Sequence, residues 1–175
     1  MRPWIVLPLL LLAGCTEPAD PTMPVAAPAP CPGHFHVTLL VANGTEVVPF
    51  YDEDPGRDDR DAREPVAGIH MHGDDGVIHI HPAQEACYTL AATLHAVDVQ
   101  VLPRGAVQVN DDVREGDVRI DVQLWSDDWT TWSEGDLQRT VPDAARVLVM
   151  VNPPSDADID RLRDQVPQVP EVYQP

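Results

Sequence analysis

The run Phe35-His36-Val37-Thr38-Leu39-Leu40-Val41 reads as a strand, rich in β-branched and aromatic residues. Asn43-Gly44 follows, a strong short-range hairpin signal, and Thr45–Phe50 is the expected return strand. A second hairpin is expected from Ile69–His72 and Val77–His81 around Gly73-Asp74-Asp75-Gly76. From Gln84 to Val97 the period changes. Tyr88, Leu90, Ala91, Leu94 and Val97 recur at helical spacing, which predicts one packed helix over about 84–97. Val99–Leu102, Val107–Val109, Val118–Trp125, Thr130–Ser133 and Arg146–Val151 are further expected strands. Ser155 is a natural N-cap for a short helix over Asp156–Val166, and Pro167, Pro170 and Pro175 suggest a frayed tail beyond it. The fold class this implies is α+β: mostly antiparallel strands in hairpins, one packed helix and a short C-terminal helix.

The first thirty residues follow another pattern. Met-Arg-Pro-Trp precedes an apolar run, Ile5–Leu12, and then Ala13-Gly14-Cys15. This is the layout of a secretory signal, and the apolar run is far below the ~20 residues that span a bilayer. Leu12-Ala13-Gly14-Cys15 resembles the bacterial lipobox, in which the cysteine is acylated and becomes the first mature residue. The resemblance implies lipidation of Cys15 and an extracytoplasmic protein anchored to the cell envelope without spanning it. Thr16 stands where an Asp would favour inner-membrane retention, so the outer membrane is expected in a Gram-negative cell. Pro18, Pro21, Pro24, Pro28 and Pro30 make residues 16–30 a semi-rigid polyproline spacer. The expected organisation is therefore signal peptide 1–14, lipidated Cys and Pro-rich tether 15–30, a His-rich α+β domain 31–154, and a helix with a Pro-containing tail 155–175.

The 175 residues carry 29 acidic side chains against 11 basic ones, for a net charge of −18. Such a surface repels nucleic acid and anionic lipid headgroups, so neither is an expected partner. It attracts cations, although solubility or a salty habitat explains the same charge. Residues 52–64 are strongly charged but lack the Asp-x-Asp-x-Asp-Gly spacing of a calcium loop, so a solvated loop is expected. Trp125, Trp129 and Trp132 are expected to pack in the core or a hairpin rather than form a ligand platform.

Three cysteines are present. With Cys15 acylated, Cys31 and Cys87 remain in an oxidising compartment, where a pair favours a disulfide. Ligation of a metal by one or both stays open as an alternative.

The histidines carry the chemistry. Six of the seven fall into His-x-His pairs: His34/His36, His70/His72 and His79/His81. Residues i and i+2 of a strand share a face, so each pair sets two imidazoles side by side, with Phe35, Met71 and Ile80 turned to the other face. A two- or four-residue turn centred on Asp74-Asp75 pairs residues whose numbers sum to 149, placing His70 opposite His79. Directly opposite Cβ atoms lie ~5 Å apart, close enough for imidazole nitrogens to meet one ion at ~2.0–2.1 Å. A bulged turn would shift this register by one and scatter the set. Neutral imidazole suits zinc, copper and nickel, and crowded imidazoles without metal would repel once protonated. One or two copper or zinc ions are therefore expected on His34, His36, His70, His72, His79 and His81. A water-satisfied polar face and a pH sensor are the competing readings. His95, alone on the expected helix, is read as structural unless the fold carries it over the sheet.

The stretch His70-Met71-His72-Gly73-Asp74-Asp75-Gly76-Val77-Ile78-His79-Ile80-His81 resembles the signature of an uncharacterised family of secreted or membrane-anchored prokaryotic proteins. That pattern reads His-Thr-His-Asp, two variable residues, Gly-Ile-Ile-His-Ile-Glu. The upstream His-x-His strand with its hairpin and Tyr88-Thr89-Leu90 at the helix start are also similar, so the likeness runs from about Cys31 to Val151. Here Met71 replaces the Thr, Gly73 the Asp, and His81 the final Glu. The resemblance implies an extracytoplasmic, metal-associated domain.

Three functions fit the sequence. The first is an envelope lipoprotein that binds copper or zinc as buffer, carrier or sensor, with copper favoured by the affinity order of nitrogen sites and by the thioether of Met71, should its strand turn it inward. The second is a metalloenzyme with three histidines and an open position, for which no general base stands at an evident spacing. The third is an envelope interaction domain with incidental histidines. No nucleophile elbow, phosphate loop or dinucleotide fingerprint is present.

Overall fold

The computed structural model describes residues 33–50, 68–71, 76–81, 87–124 and 128–169, with residue 70 described by its backbone alone. The protein is α+β. Its main sheet has seven strands in the order β3-β4-β1-β10-β8-β9, with β2 appended to β1. The strands are β1 Phe35–Asn43, β2 Glu46–Val47, β3 Ile69–Met71, β4 Val77–Ile80, β8 Val118–Gln123, β9 Thr130–Trp132 and β10 Ala145–Val151. The β1–β10 ladder is parallel, and the other pairings in the sheet are antiparallel. A smaller antiparallel sheet joins β5 Val99–Leu102, β6 Ala106–Val109 and β7 Asp112–Glu115.

Alternation along β1 divides the molecule into layers. Phe35, Val37, Leu39 and Val41 pack with Ile69, Met71, Ile78 and Ile80 in the larger core, against α1 Leu90–Ala96 and the small sheet. Complete burial of side chains such as Phe35 and Ile80, each at most 1 % exposed, is worth roughly 1.5–3 kcal/mol apiece. On the opposite face Leu40, Ala42, Leu148 and Met150 meet Ile159, Leu162 and Val166 of α2 (Asp156–Gln165) and the residue after it. His36 and His79, in register on β1 and β4, occupy this second face, with His34 and His81 in ring contact beside them.

Polar groups fix α2 in place. Ser155 caps it, its hydroxyl accepting from the Asp158 amide. Asp121 on β8 is fully buried; its carboxylate accepts from Arg119 Nε at 2.9 Å, Thr131 Oγ1 at 2.8 Å and Arg163 Nη2 at 2.8 Å. Burial alone would raise the Asp121 pKa, but the hydrogen bonds from Arg119, Thr131 and Arg163 outweigh it and hold the carboxyl below its ordinary value. Arg146 on β10 donates from Nη2 to the carbonyls of Arg163 and Val166, and from Nε to that of Pro167, so a cation closes the C-terminal end of the helix. Its guanidinium also lies over Trp129 at 5.2 Å. Trp132 is 6 % exposed within the larger core, as expected of the tryptophan group; Trp125 lies outside the described residues.

Several elements differ from the sequence reading. The helix expected from about 84 begins at Leu90, because Thr89 caps it by accepting from the Ala92 amide and is itself bridged to Thr140. The return strand expected over 45–50 is reduced to Glu46–Val47. Strand β7 was not expected: Asp-Val-Arg-Glu is polar and Val113 is 55 % exposed, so neither alternation nor burial marks it. The chain stays packed from Pro167 to Val169, since Val166 and Val169 are 1 % and 6 % exposed and Arg146 holds the Pro167 carbonyl; Pro170 and Pro175 of the expected tail lie outside the described residues. Residues 1–32, including the expected signal and tether, Cys15 and Cys31, lie outside the described residues, as does the charged segment 52–64. Among the described residues no helix is long and apolar enough to cross a membrane.

Candidate metal centre

The second hairpin pairs as its turn implied. Ile69↔Ile80, His70↔His79 and Met71↔Ile78 all follow the sum of 149. Gly68 precedes β3 at φ +92, where a Cβ would collide with the His81 carbonyl, so the close approach of this strand to β4 requires glycine. The sheet then places β4 directly beside β1, with His36↔His79 in register. His70, His79 and His36 thus occupy successive register positions across three neighbouring strands, of which His70 is known by backbone only. His72 lies outside the described residues.

Four imidazoles gather at the β1–β4 seam. The rings of His36 and His79 meet edge to face at 4.8 Å. His34 lies 4.5 Å from His36 and stacks on His81 at 4.1 Å with 15° between planes. The environment is graded. His36 and His79 are 3 % and 4 % exposed and form the floor, whereas His34 and His81 are exposed and form the rim.

Three of the four present donors to one point. A ring nitrogen from each of His34, His36 and His79 falls within a set of mutual separations no larger than 4.8 Å, so this cluster can hold a metal ion. His79 Nδ1 and His34 Nε2 are already 3.4 Å apart. Tetrahedral ligands at ~2.0–2.1 Å from zinc are themselves about 3.4 Å apart, so this pair stands at ligand spacing, while the donor set as a whole spans up to 4.8 Å. His81 is within ring contact of His34 but outside that donor set.

A carboxylate that the sequence did not single out completes the surroundings. Asp143, two residues before β10, accepts the backbone N–H of His36 at 2.8 Å and that of Ala144 at 2.9 Å through Oδ1. The same oxygen is 3.8 Å from His36 Nδ1. Burial first, then repulsion from His34, pushes the His36 pKa below its ordinary value; Asp143 pulls the other way and does not prevail. His36 is therefore held neutral, the form that ligates metal. Asp143 could have been found only from the parallel pairing of β1 with β10, which sets the residues entering the two strands side by side.

The remaining expectations sort as follows. Cys87 is disulfide-bonded, so its thiolate is not a metal ligand; the partner expected for it, Cys31, lies outside the described residues. Met71 is 5 % exposed in the larger core, on the face away from the histidines, so its thioether does not serve the cluster. His95 is exposed on α1, across the sheet from the cluster, and borders a cavity of about 450 Å³ with Thr89, Gln100 and Gln138. No family model, curated protein or solved structure matches this chain.

Proposed function

We propose that this chain is an envelope lipoprotein that binds a transition metal, copper or zinc, on its paired His-x-His strands and serves as a buffer, carrier or sensor of that ion. The observation that carries the reading is the convergence of donor nitrogens from His34, His36 and His79 within 4.8 Å, two of the rings being almost fully buried. Imidazole nitrogen with no thioether or thiolate suits borderline divalent ions, so Cu(II) and Zn(II) stand together ahead of Cu(I). The lipobox-like residues 12–15 and the Pro-rich spacer support an anchored, extracytoplasmic location, where exchange with external metal is direct. The likeness of residues 70–81 to the signature of secreted prokaryotic proteins supports the same address.

The test is elemental analysis of the full-length chain, purified without chelators and with any tag removed, followed by titration with Cu(II) and Zn(II). About one ion per chain is expected, with loss of binding in His36→Ala and His79→Ala. A chain that arrives metal-free and takes up neither ion overturns the reading.

A further inference from the structure

The cluster supplies imidazoles, which are neutral ligands. An ion held against His36 and His79 at 3 % and 4 % exposure is largely removed from water, and its charge must be balanced by the protein. Asp143 is placed to do this. Its carboxylate stands 3.8 Å from the His36 ring, yet it is not among the donors that lie within 4.8 Å of one another, so it is an outer partner rather than a ligand. It is also held rigidly. The backbone N–H groups of His36 and Ala144 both donate to Oδ1, and the Ala144 N–H lies 2.8 Å from the His36 carbonyl, tying the two segments together on both sides.

Resting on the metal reading above, we propose that Asp143 is a positioning and specificity residue: its negative charge, acting through the His36 imidazole, makes the site favour divalent over monovalent ions. At 3.8 Å from Nδ1 the carboxylate is beyond hydrogen-bond distance and acts by its field, which favours a proton on Nδ1 and leaves the lone pair on Nε2 for the metal. The direct field of the carboxylate adds to this in proportion to the charge of the ion, so a divalent ion gains twice what Cu(I) gains. In the absence of Asp143, three imidazoles discriminate only by ligand type and geometry. With it, the site favours Zn(II) and Cu(II) over Cu(I) more strongly than a charge-free site would.

The experiment compares the full-length wild-type chain with Asp143→Asn. The asparagine keeps an oxygen acceptor for the two backbone N–H groups and removes the charge, with an NH2 group in place of the second oxygen. Affinities for Zn(II), Cu(II) and, anaerobically, Cu(I) are measured by competition with chromophoric chelators, alongside circular dichroism and melting of the apo forms. The expected result is a 10- to 100-fold loss for Zn(II) and Cu(II), the range seen when outer-sphere partners are removed. The loss for Cu(I) is expected to be about the square root of that, roughly 3- to 10-fold. Equal losses for all three ions would show that Asp143 only shapes the backbone, and would overturn the proposal. A divalent loss under threefold would overturn it as well. Should Asp143→Asn fail to fold, Asp143→Glu gives the second readout: the charge is retained, and a divalent-to-monovalent affinity ratio within threefold of wild type is expected, whereas a ratio collapsed tenfold refutes the charge argument. A wild type that binds none of the ions overturns the metal reading and this inference together, while wild-type binding with an unaltered asparagine variant overturns this inference alone.

Discussion

Replacing Asp121 by alanine is expected to cost about 3 kcal/mol of folding stability. In the native protein the carboxylate is fully buried and accepts from Arg119 Nε, Thr131 Oγ1, Arg163 Nε and Arg163 Nη2. Truncation strands two guanidinium groups that folding has already drawn away from water. Removing one partner of a buried ion pair typically costs about 3–5 kcal/mol. The low end applies here, because the Arg119 and Arg163 side chains keep 29 % and 19 % exposure and Arg163 retains Asp160 at 2.9 Å. Urea unfolding at pH 7 is the assay. With a slope of about 2 kcal/mol/M, the midpoint should fall by about 1.5 M with the slope unchanged. Asp121→Asn should fall between the two, since it keeps one oxygen acceptor while turning an NH2 group toward donors. The pH dependence follows from the sign of the shift. The folded pKa of Asp121 is below its unfolded value, so the stabilisation is complete above about pH 4 to 5 and disappears as the pH falls through the folded value. The acid-induced loss should therefore be smaller in Asp121→Ala than in wild type. A midpoint shift worth less than 1 kcal/mol would refute the view that this network holds α2 on the sheet.

Two further outcomes are expected. Metal-free protein should lose stability as the pH drops below about 6.5: the lowered pKa of His36 means that the unfolded chain takes up its proton first, and the loss is complete once the pH passes the folded value; melting temperatures between pH 8 and pH 5 check this, and a flat profile would contradict it. Arg146→Lys should destabilise by about 1–3 kcal/mol despite conserving charge, because a single ammonium cannot reach the carbonyls of Arg163, Val166 and Pro167 and Gln123 Oε1 at once; hydrogen exchange should show the loosening at the last turn of α2, and wild-type protection there would count against it.

Much of this architecture was legible because it depends on local rules. The sequence Gly73-Asp74-Asp75-Gly76 implied a pairing sum, and His70↔His79 follows that sum in the sheet. Alternation put Phe35, Met71 and Ile80 in the core, and Ser155 caps α2 as its side chain allows. What was hidden depends on long-range pairing. His34 and His36 reach His79 only because β1 docks against β4, and no turn signal joins these strands. Asp143 belongs to the site through the parallel β1–β10 ladder, which links segments more than a hundred residues apart. Strand β7 escaped notice because an exposed edge needs no apolar alternation. The later start of α1 at Leu90 is imposed by Thr89 and its bridge to Thr140, a contact beyond the reach of periodicity.

The parallel ladder between β1 and β10 also bears on the order of events in the life of the molecule. Contacts of such sequence separation form late and slowly, since a long intervening chain must first be closed. A polypeptide emerging from its amino end exposes His34 and His36 well before β10 and Asp143 exist beside them. The placing of Asp143 beside His36 is thereby a property of the finished fold, and a chain cut short of β10 lacks the carboxylate that ties these two segments together.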